Sequence, residues 1–199
     1  MNSPKTITQL IDSPRLIGSD STDQVEHDSI DLKSITKQNF IITDGTYRYI
    51  DMTDVEISEG TGTNVICFRA SLIRCRLQKM LLTGLQLPEA NFKDVVFSNC
   101  KINLANFRSA TFERCIFKDC DLTEADFAMA KCTMTLFDSC QLIKTDFSNA
   151  VNKRLEFISS PLHSINGLNG LKGSTIDQQN LIEIAPILAS ELGIIIKDI

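Results

Sequence analysis

Apolar residues in the middle of the chain recur neither at the helical spacing of 3.6 nor at the strand alternation of two, but at every fifth position. From Leu72 the series runs Leu77, Leu82, Leu87, Phe92, Phe97, Ile102, Phe107, Phe112, Phe117, Leu122, Phe127, Cys132, Phe137, Leu142, Phe147, Asn152, Phe157 and Leu162. Seventeen of these nineteen are Leu, Ile or Phe, so an internal repeat organises the chain. Two residues before each of them the side chain is small or mid-sized, as in Ala90, Val95, Cys100, Ala105, Ala110, Cys115, Cys120, Ala125, Ala130, Thr135, Cys140, Thr145 and Ala150. Ile42, Tyr47, Met52 and Ile57 keep the same phase, whereas Gly60 and Gly62 leave one side of a repeat nearly empty. Residues 1–39 mix Ser, Thr, Asp and Pro with scattered Ile and Leu and read as an irregular N-terminal arm. After Leu162 the phase lapses through Gly167, Gly170 and Gly173. A helix is then predicted, with Asp177 as N-cap and Gly193 just past its end. Leu181, Ile184, Ala185, Leu188 and Leu192 share one face of it, Pro186 is expected to kink or break it, and Ile194–Ile196 reads as strand-like.

The pairing of a central Leu or Phe with a small residue two places earlier, as in Ala90-Asn91-Phe92-Lys93-Asp94 and Ala125-Asp126-Phe127-Ala128-Met129, resembles the pentapeptide-repeat family. The resemblance implies an all-β solenoid, a right-handed quadrilateral β-helix of pentapeptide repeats. Five residues form a side, twenty form a coil, and the central and small residues point inward. A narrow square bore cannot hold two large side chains per side, which accounts for the size rule. Three segments are expected: the arm at 1–39, the repeat β-helix at 40–166, and a C-terminal capping α-helix and dimerisation segment at 167–199. Residues twenty apart then stack, so Phe97, Phe117, Phe137 and Phe157 should form one internal ladder and Phe107, Phe127 and Phe147 another.

Seven cysteines in 199 residues raise the question of metal or disulfides. No Cys-x-x-Cys pair occurs, and Cys67, Cys75, Cys100, Cys115, Cys120, Cys132 and Cys140 all fall on inward positions, where cysteine serves as a small hydrophobe. The N-terminal residues lack a signal-type apolar stretch and no window approaches eighteen apolar residues, so a cytoplasmic protein with reduced thiols and no membrane association is expected. His27 and His163 stand far apart without a nucleophile motif, and Asp121, Glu124 and Asp126 fall on outward positions, where carboxylates are ordinarily solvated. An enzyme is not expected, and neither a metal nor a cofactor is called for.

Outward apolar residues are the exception. Val96, Ile116 and Leu136 precede central residues on one side, twenty apart, and should form an apolar stripe. Coverage by the arm, contact with a partner or second copy, and no role at all are the open readings. Asn152 stands at an inward site where Leu or Phe belongs and is expected to bond backbone groups near the closing coil.

The family resemblance also implies a function. Members include proteins that bind type II topoisomerases and protect them from quinolones, with rods that resemble DNA and C-terminal helices that dimerise. Against that, residues 45–163 carry fourteen Lys plus Arg and fourteen Asp plus Glu. The four sides sum to about +2, −2, 0 and 0, and only Asp126 and Asp146 suggest a local acidic column. The expectation is a non-enzymatic structural or protein-interaction module, homodimeric through the C-terminal helix and making no direct contact with nucleic acid. A DNA-mimicking topoisomerase (gyrase) binder is the alternative.

Overall fold

The computed structural model describes residues 26–27, 29–42 and 44–197. The chain winds as a parallel β-solenoid of about seven turns, closed at its C-terminal end by one helix. Register is twenty residues throughout the rod. Ile30 pairs with Ile50 and Ile50 with Ala70 on one side, while Gln86, Asn106, Asp126, Asp146 and Asn166 follow one another on the adjacent side. The chain turns between sides at the second residue after each central one, and most of these corner residues are left-handed, with φ of 49–66° at non-glycine positions from Ser34 to Ser159. Each such residue is strained by about 1–2 kcal/mol. The strain is held by bonds between coils: the corner N–H groups of Asp94, Asn99, Ser109 and Arg114 each donate at 2.9 Å to a carbonyl on the following coil.

The inward positions build the core. Phe97, Phe117, Phe137 and Phe157 stack with centroids 4.9, 4.9 and 5.2 Å apart and planes within 10°. Phe107, Phe127 and Phe147 form the second ladder at 5.1 and 5.3 Å. Across the bore the ladders meet edge to face, as at Phe117 and Phe127, 5.8 Å apart and perpendicular. A ring stacked at the coil spacing thus also presents its edge to a neighbouring column, which suits the aromatic quadrupole.

The small positions have a polar function besides their size. The thiols of Cys75, Cys100, Cys115, Cys120 and Cys140 donate to carbonyls twenty-three residues earlier at 3.3–3.6 Å. The hydroxyls of Thr145 and Ser160 do the same at 2.8 and 3.1 Å. Thr135, in the same kind of position, is buried with its hydroxyl unpaired.

The N-terminal boundary differs from the sequence reading. Residues 30–41 are not part of an irregular arm but a strand of the rod, in register with 50–61, and Glu26–His27 pairs with Thr46–Tyr47. Residues 1–25, the rest of the expected arm, lie outside the described residues. Two exchanges hid this coil. Lys37 occupies a central site, buried, with its ammonium 4.4 Å from the centre of the Phe40 ring, and burial pushes its pKa down. Phe40 occupies a small site, and Gly60 on the next coil allows a close backbone approach, since a Cβ there would lie 2.2 Å from the Phe40 carbonyl oxygen. Near this end of the bore an apolar cavity of about 40 Å³ lies among Ile42, Met52, Leu82 and Leu87, and Gly62, a central position, is packed by Ile42 and Leu82.

At the other end the register slips by one. Asp146 still bridges to Asn166, but Glu156 pairs with Thr175 and Phe157 with Ile176, after a 3-10 turn at Leu168–Leu171. Asn152 anchors this departure, its amide donating to the carbonyls of Gly170 at 2.8 Å and Lys172 at 3.0 Å, as an inward amide was expected to do. Helix α1, Gln178–Glu191, then crosses the end of the rod. Pro186 lies within α1 without ending it. It is exposed, and the carbonyl it leaves without a donor belongs to Ile182 on the solvent side.

Phe117→Ala is expected to lower stability by about 3–5 kcal/mol, measured by urea denaturation. Thr135→Val should raise it by about 1 kcal/mol, because Val95 and Val55 already fill the same column and the unpaired hydroxyl is removed. Thr145→Val should lower it by about 1 kcal/mol; the same sign for both threonine variants would refute the distinction.

Candidate interaction surface

The outer face of the rod consists of columns whose members sit one coil apart. Val96, Ile116 and Leu136 are brought into one such column, directly in register. Ile116 is 36% exposed and its two neighbours are half-buried. The coil containing residues 30–39 does not cover them, because those residues form part of the solenoid.

Asp126 and Asp146 are also brought together on adjacent coils, between Asn106 and Asn166. Their chemistry is that of a turn. Oδ1 of Asp126 accepts the Ala128 N–H at 2.7 Å, Oδ1 of Asp146 accepts that of Ser148 at 2.8 Å, and Asn106 accepts that of Arg108 at 2.9 Å. Oδ2 of Asp126 takes an ion pair from Arg108 at 2.8 Å. Asp121 follows the same rule with the Thr123 N–H at 3.0 Å. An Asn or Asp just before the central residue, followed two positions later by a free N–H, is the sequence signal for this role.

Charges elsewhere cancel along the columns. Asp54 pairs with Arg74 and Asp94 with Arg114, both at 2.6 Å, and each arginine holds its carboxylate below the ordinary carboxylate pKa. Arg114 also reaches Glu113. Glu59 pairs with Lys79, Lys93 with Glu113, Lys118 with Asp138 and Glu124 with Lys144. These exposed pairs add little stability. Their effect is on surface potential, because a carboxylate is answered by a cation one coil away.

All seven cysteines are free and buried. Burial raises the thiol pKa of Cys67 and Cys75, and carries Cys115 to about 11 and Cys132 to about 12. Such thiols are poor nucleophiles and poor metal ligands at neutral pH. Among the described residues no three His, Cys, Asp or Glu side chains are grouped to hold a metal ion. His163 contacts Glu183 at 3.3 Å, tying the rod to α1, and His27 enters a strand with Tyr47. Surface grooves of about 360 and 140 Å³ contain engaged groups, Asp54 and Arg74 in one, Asp177 and Asn180 in the other, and the first is also lined by Glu56 and Arg76.

Helix α1 divides the residues expected on its single face. Ile184 is buried and Leu188 half-buried against the rod, and the buried Asn180 accepts the Leu162 N–H at 3.0 Å. Leu181, Ala185 and Leu192 point away, as do Ile182 and the Ile194–Ile196 run; Leu192 is 76% exposed. Asp177 caps α1 as expected, accepting the Asn180 N–H, and its second oxygen takes the Ser159 N–H of the rod.

The fivefold pattern is matched by known protein families. The description "pentapeptide repeats (8 copies)" fits residues 70–108, and "pentapeptide repeat region" fits residues 90–166. The repeat region belongs to the pentapeptide-repeat family. The coil at 30–61 extends the pentapeptide-repeat rod beyond the matched residues. Similar solved structures include the pentapeptide-repeat protein Rfr23 of the cyanobacterium Cyanothece 51142, at 14% identity over 76% of this chain and 91% of that one, with a TM-score of 0.34. QnrB1, a plasmid-mediated fluoroquinolone resistance protein, is 13% identical over 86% and 97% of the two chains, with a TM-score of 0.27. HetL of Nostoc sp. strain PCC 7120, involved in heterocyst differentiation regulation, is 18% identical over 68% and 73%, with a TM-score of 0.22. No curated protein sequence matches the chain. Among the described residues, no helix is long and apolar enough to cross a membrane.

The two N–H groups held by Asp177, those of Asn180 and Ser159, hold its carboxyl pKa below the ordinary carboxylate value. The stabilisation it contributes is therefore complete above the unfolded-state value and lost as pH falls through the lower folded value. Asp177→Ala is expected to lower stability by about 1 kcal/mol at pH 7 and to flatten the fall in stability as the pH drops below the ordinary aspartate pKa of about 4, measured by denaturation across pH.

Proposed function

We propose that the protein is a non-enzymatic binding module that engages other proteins through the outside of its rod and assembles as a homodimer through α1. The observation that carries the dimer is the division of α1 into two faces. Asn180, Ile184 and Leu188 suffice to cap the rod, and Leu181, Ile182, Ala185 and Leu192 are left over as a second apolar strip continuous with Ile194–Ile196. A helix that only capped its own rod would be polar on that side. Support for the non-enzymatic reading comes from the engagement of the polar groups, which serve turns, inter-coil ion pairs and the helix cap. Seven free buried thiols suit a cytoplasmic protein.

The narrower reading, a mimic of DNA that binds a type II topoisomerase, requires a continuous acidic face. The rod offers Asp126 and Asp146, and Arg108 already neutralises the first. A gyrase supercoiling assay with and without quinolone is expected to show neither inhibition nor protection at micromolar protein; either effect would establish the mimic instead. Leu181→Asp combined with Leu192→Asp should convert the dimer to monomers by light scattering without a loss of thermal stability. An unchanged dimer would overturn α1 as the seam. Leu188, which packs on the rod, is the control whose substitution should lower stability.

A further inference from the structure

We propose that Asn166 is a modification site: in the folded chain its side chain cyclises onto the Gly167 nitrogen and hydrolyses to aspartate or isoaspartate, while Asn169, in nearly the same sequence, is protected. The chain has two Asn-Gly pairs, in Ile165-Asn166-Gly167-Leu168 and Leu168-Asn169-Gly170-Leu171. Glycine has no Cβ to obstruct the approach of its nitrogen to the asparagine Cγ. Within these four-residue stretches the contexts differ only by Ile against Leu, so an unfolded chain treats them alike. A difference between them in the native protein comes from the fold.

Asn169 is locked. Its Nδ2 donates to Asn149 Oδ1 at 2.9 Å, and its Oδ1 accepts the Asn149 N–H at 3.3 Å. The nitrogen that would attack it, that of the buried Gly170, donates to the Gly167 carbonyl at 2.9 Å. Gly170 also lies hard against the Phe147 carbonyl oxygen. Asn166 is exposed and held more loosely. On the three preceding coils the same outward position, Asn106, Asp126 and Asp146, has its Oδ1 fixed by the N–H two residues later, at 2.7–2.9 Å. Asn166 makes no such bond among the described residues, at the point where the chain enters the 3-10 turn. Its Nδ2 keeps one long bond, to the Lys144 carbonyl at 3.4 Å. The Gly167 N–H has no partner among the described residues. Rotation of the peptide group for attack opens one main-chain bond, from the Phe147 N–H to the Asn166 carbonyl at 3.0 Å. That bond belongs to the last rung on this side of the rod, where local opening is easiest.

The reaction needs only water. The Gly167 nitrogen loses its proton and bonds to Asn166 Cγ, the Cγ–Nδ2 bond breaks, and ammonia leaves with that proton, giving a cyclic imide. Water then opens the imide at either carbonyl. Opening at Cγ gives aspartate, which adds a third carboxylate to the column of Asp126 and Asp146. Opening at the main-chain carbonyl gives isoaspartate, which inserts a methylene group into the backbone. The Asn166 N–H, bonded to the Thr145 carbonyl at 2.9 Å, and the carbonyl that meets Phe147 then lose their common register, and the entry to α1 loosens.

The full chain, folded or in urea, is incubated at mildly alkaline pH and sampled by peptide mapping for a mass gain of about one dalton. In the folded chain Asn166 is expected to react about tenfold or more faster than Asn169, because more bonds must open at the latter. In urea the two rates should agree within about twofold. Asn149→Gly removes the acceptor of the Asn169 amide and should speed Asn169 while leaving Asn166 unchanged, with a thermal melt to confirm folding. The isoaspartate form should melt below Asn166→Asp, whose carboxylate matches Asp126 and Asp146; equal melting would overturn the loosening. The proposal is overturned by equal rates in the folded chain, by faster loss at Asn169, by an Asn166 that reacts in urea but not when folded, or by an Asn169 rate that Asn149→Gly leaves unchanged.

Discussion

The parallel ladder between residues twenty apart is the constraint on which the molecule depends. It sets the coil spacing, and that spacing lies within the range at which aromatic rings stack, so Phe97, Phe117, Phe137 and Phe157 pile up almost coplanar. It also holds the left-handed corners in place. A corner at Arg114 or Met134 would relax in an isolated five-residue unit, because a side chain at positive φ is strained. Within the rod the corner N–H is tied to the coil beyond, and the strain is spread over a structure in which each coil contacts only its neighbours.

The same ladder turns the surface into columns. A side chain outside the rod meets the residues twenty before and twenty after it, which makes ion pairs such as Asp94–Arg114 the ordinary fate of a charge. It also makes the apolar run at Val96, Ile116 and Leu136 contiguous even though nineteen residues separate its members in sequence. Apolar side chains outside the core include that column and the outer strip of α1, besides residues such as Phe68, Leu81 and Val151. Many of the charged groups on the rod serve turns and ion pairs between coils, which favours contact between proteins over chemistry at a cleft.

Much of this was legible from the periodicity. The Phe ladders, the inward cysteines, the Asp177 cap and the amide bonds of Asn152 all follow from knowing which position faces the bore. The first coil was not legible, because Lys37 at a central site and Phe40 at a small site each break the size rule, and only the fold shows the ammonium set over the ring. The column of Asp126 and Asp146 was legible, but not that both close turns and that Asp126 also pairs with Arg108. The face of α1 was drawn as one strip from Leu181 to Leu192, because helical spacing alone does not say which part of a wide apolar face meets the rod.

The sequence by itself determined the coil, since a five-residue period with one large and one small inward residue admits few other ways to bury them. Tertiary structure decided what lies at the ends and on the outside. The ends depend on packing against a single neighbouring coil, so local arrangements such as Lys37 over Phe40, or the one-residue slip before Thr175, leave no periodic trace. The outside depends on which groups pair across coils, and a hydrogen bond from the Ala128 N–H or an ion pair from Arg108 changes what an aspartate presents without changing its place in the pattern.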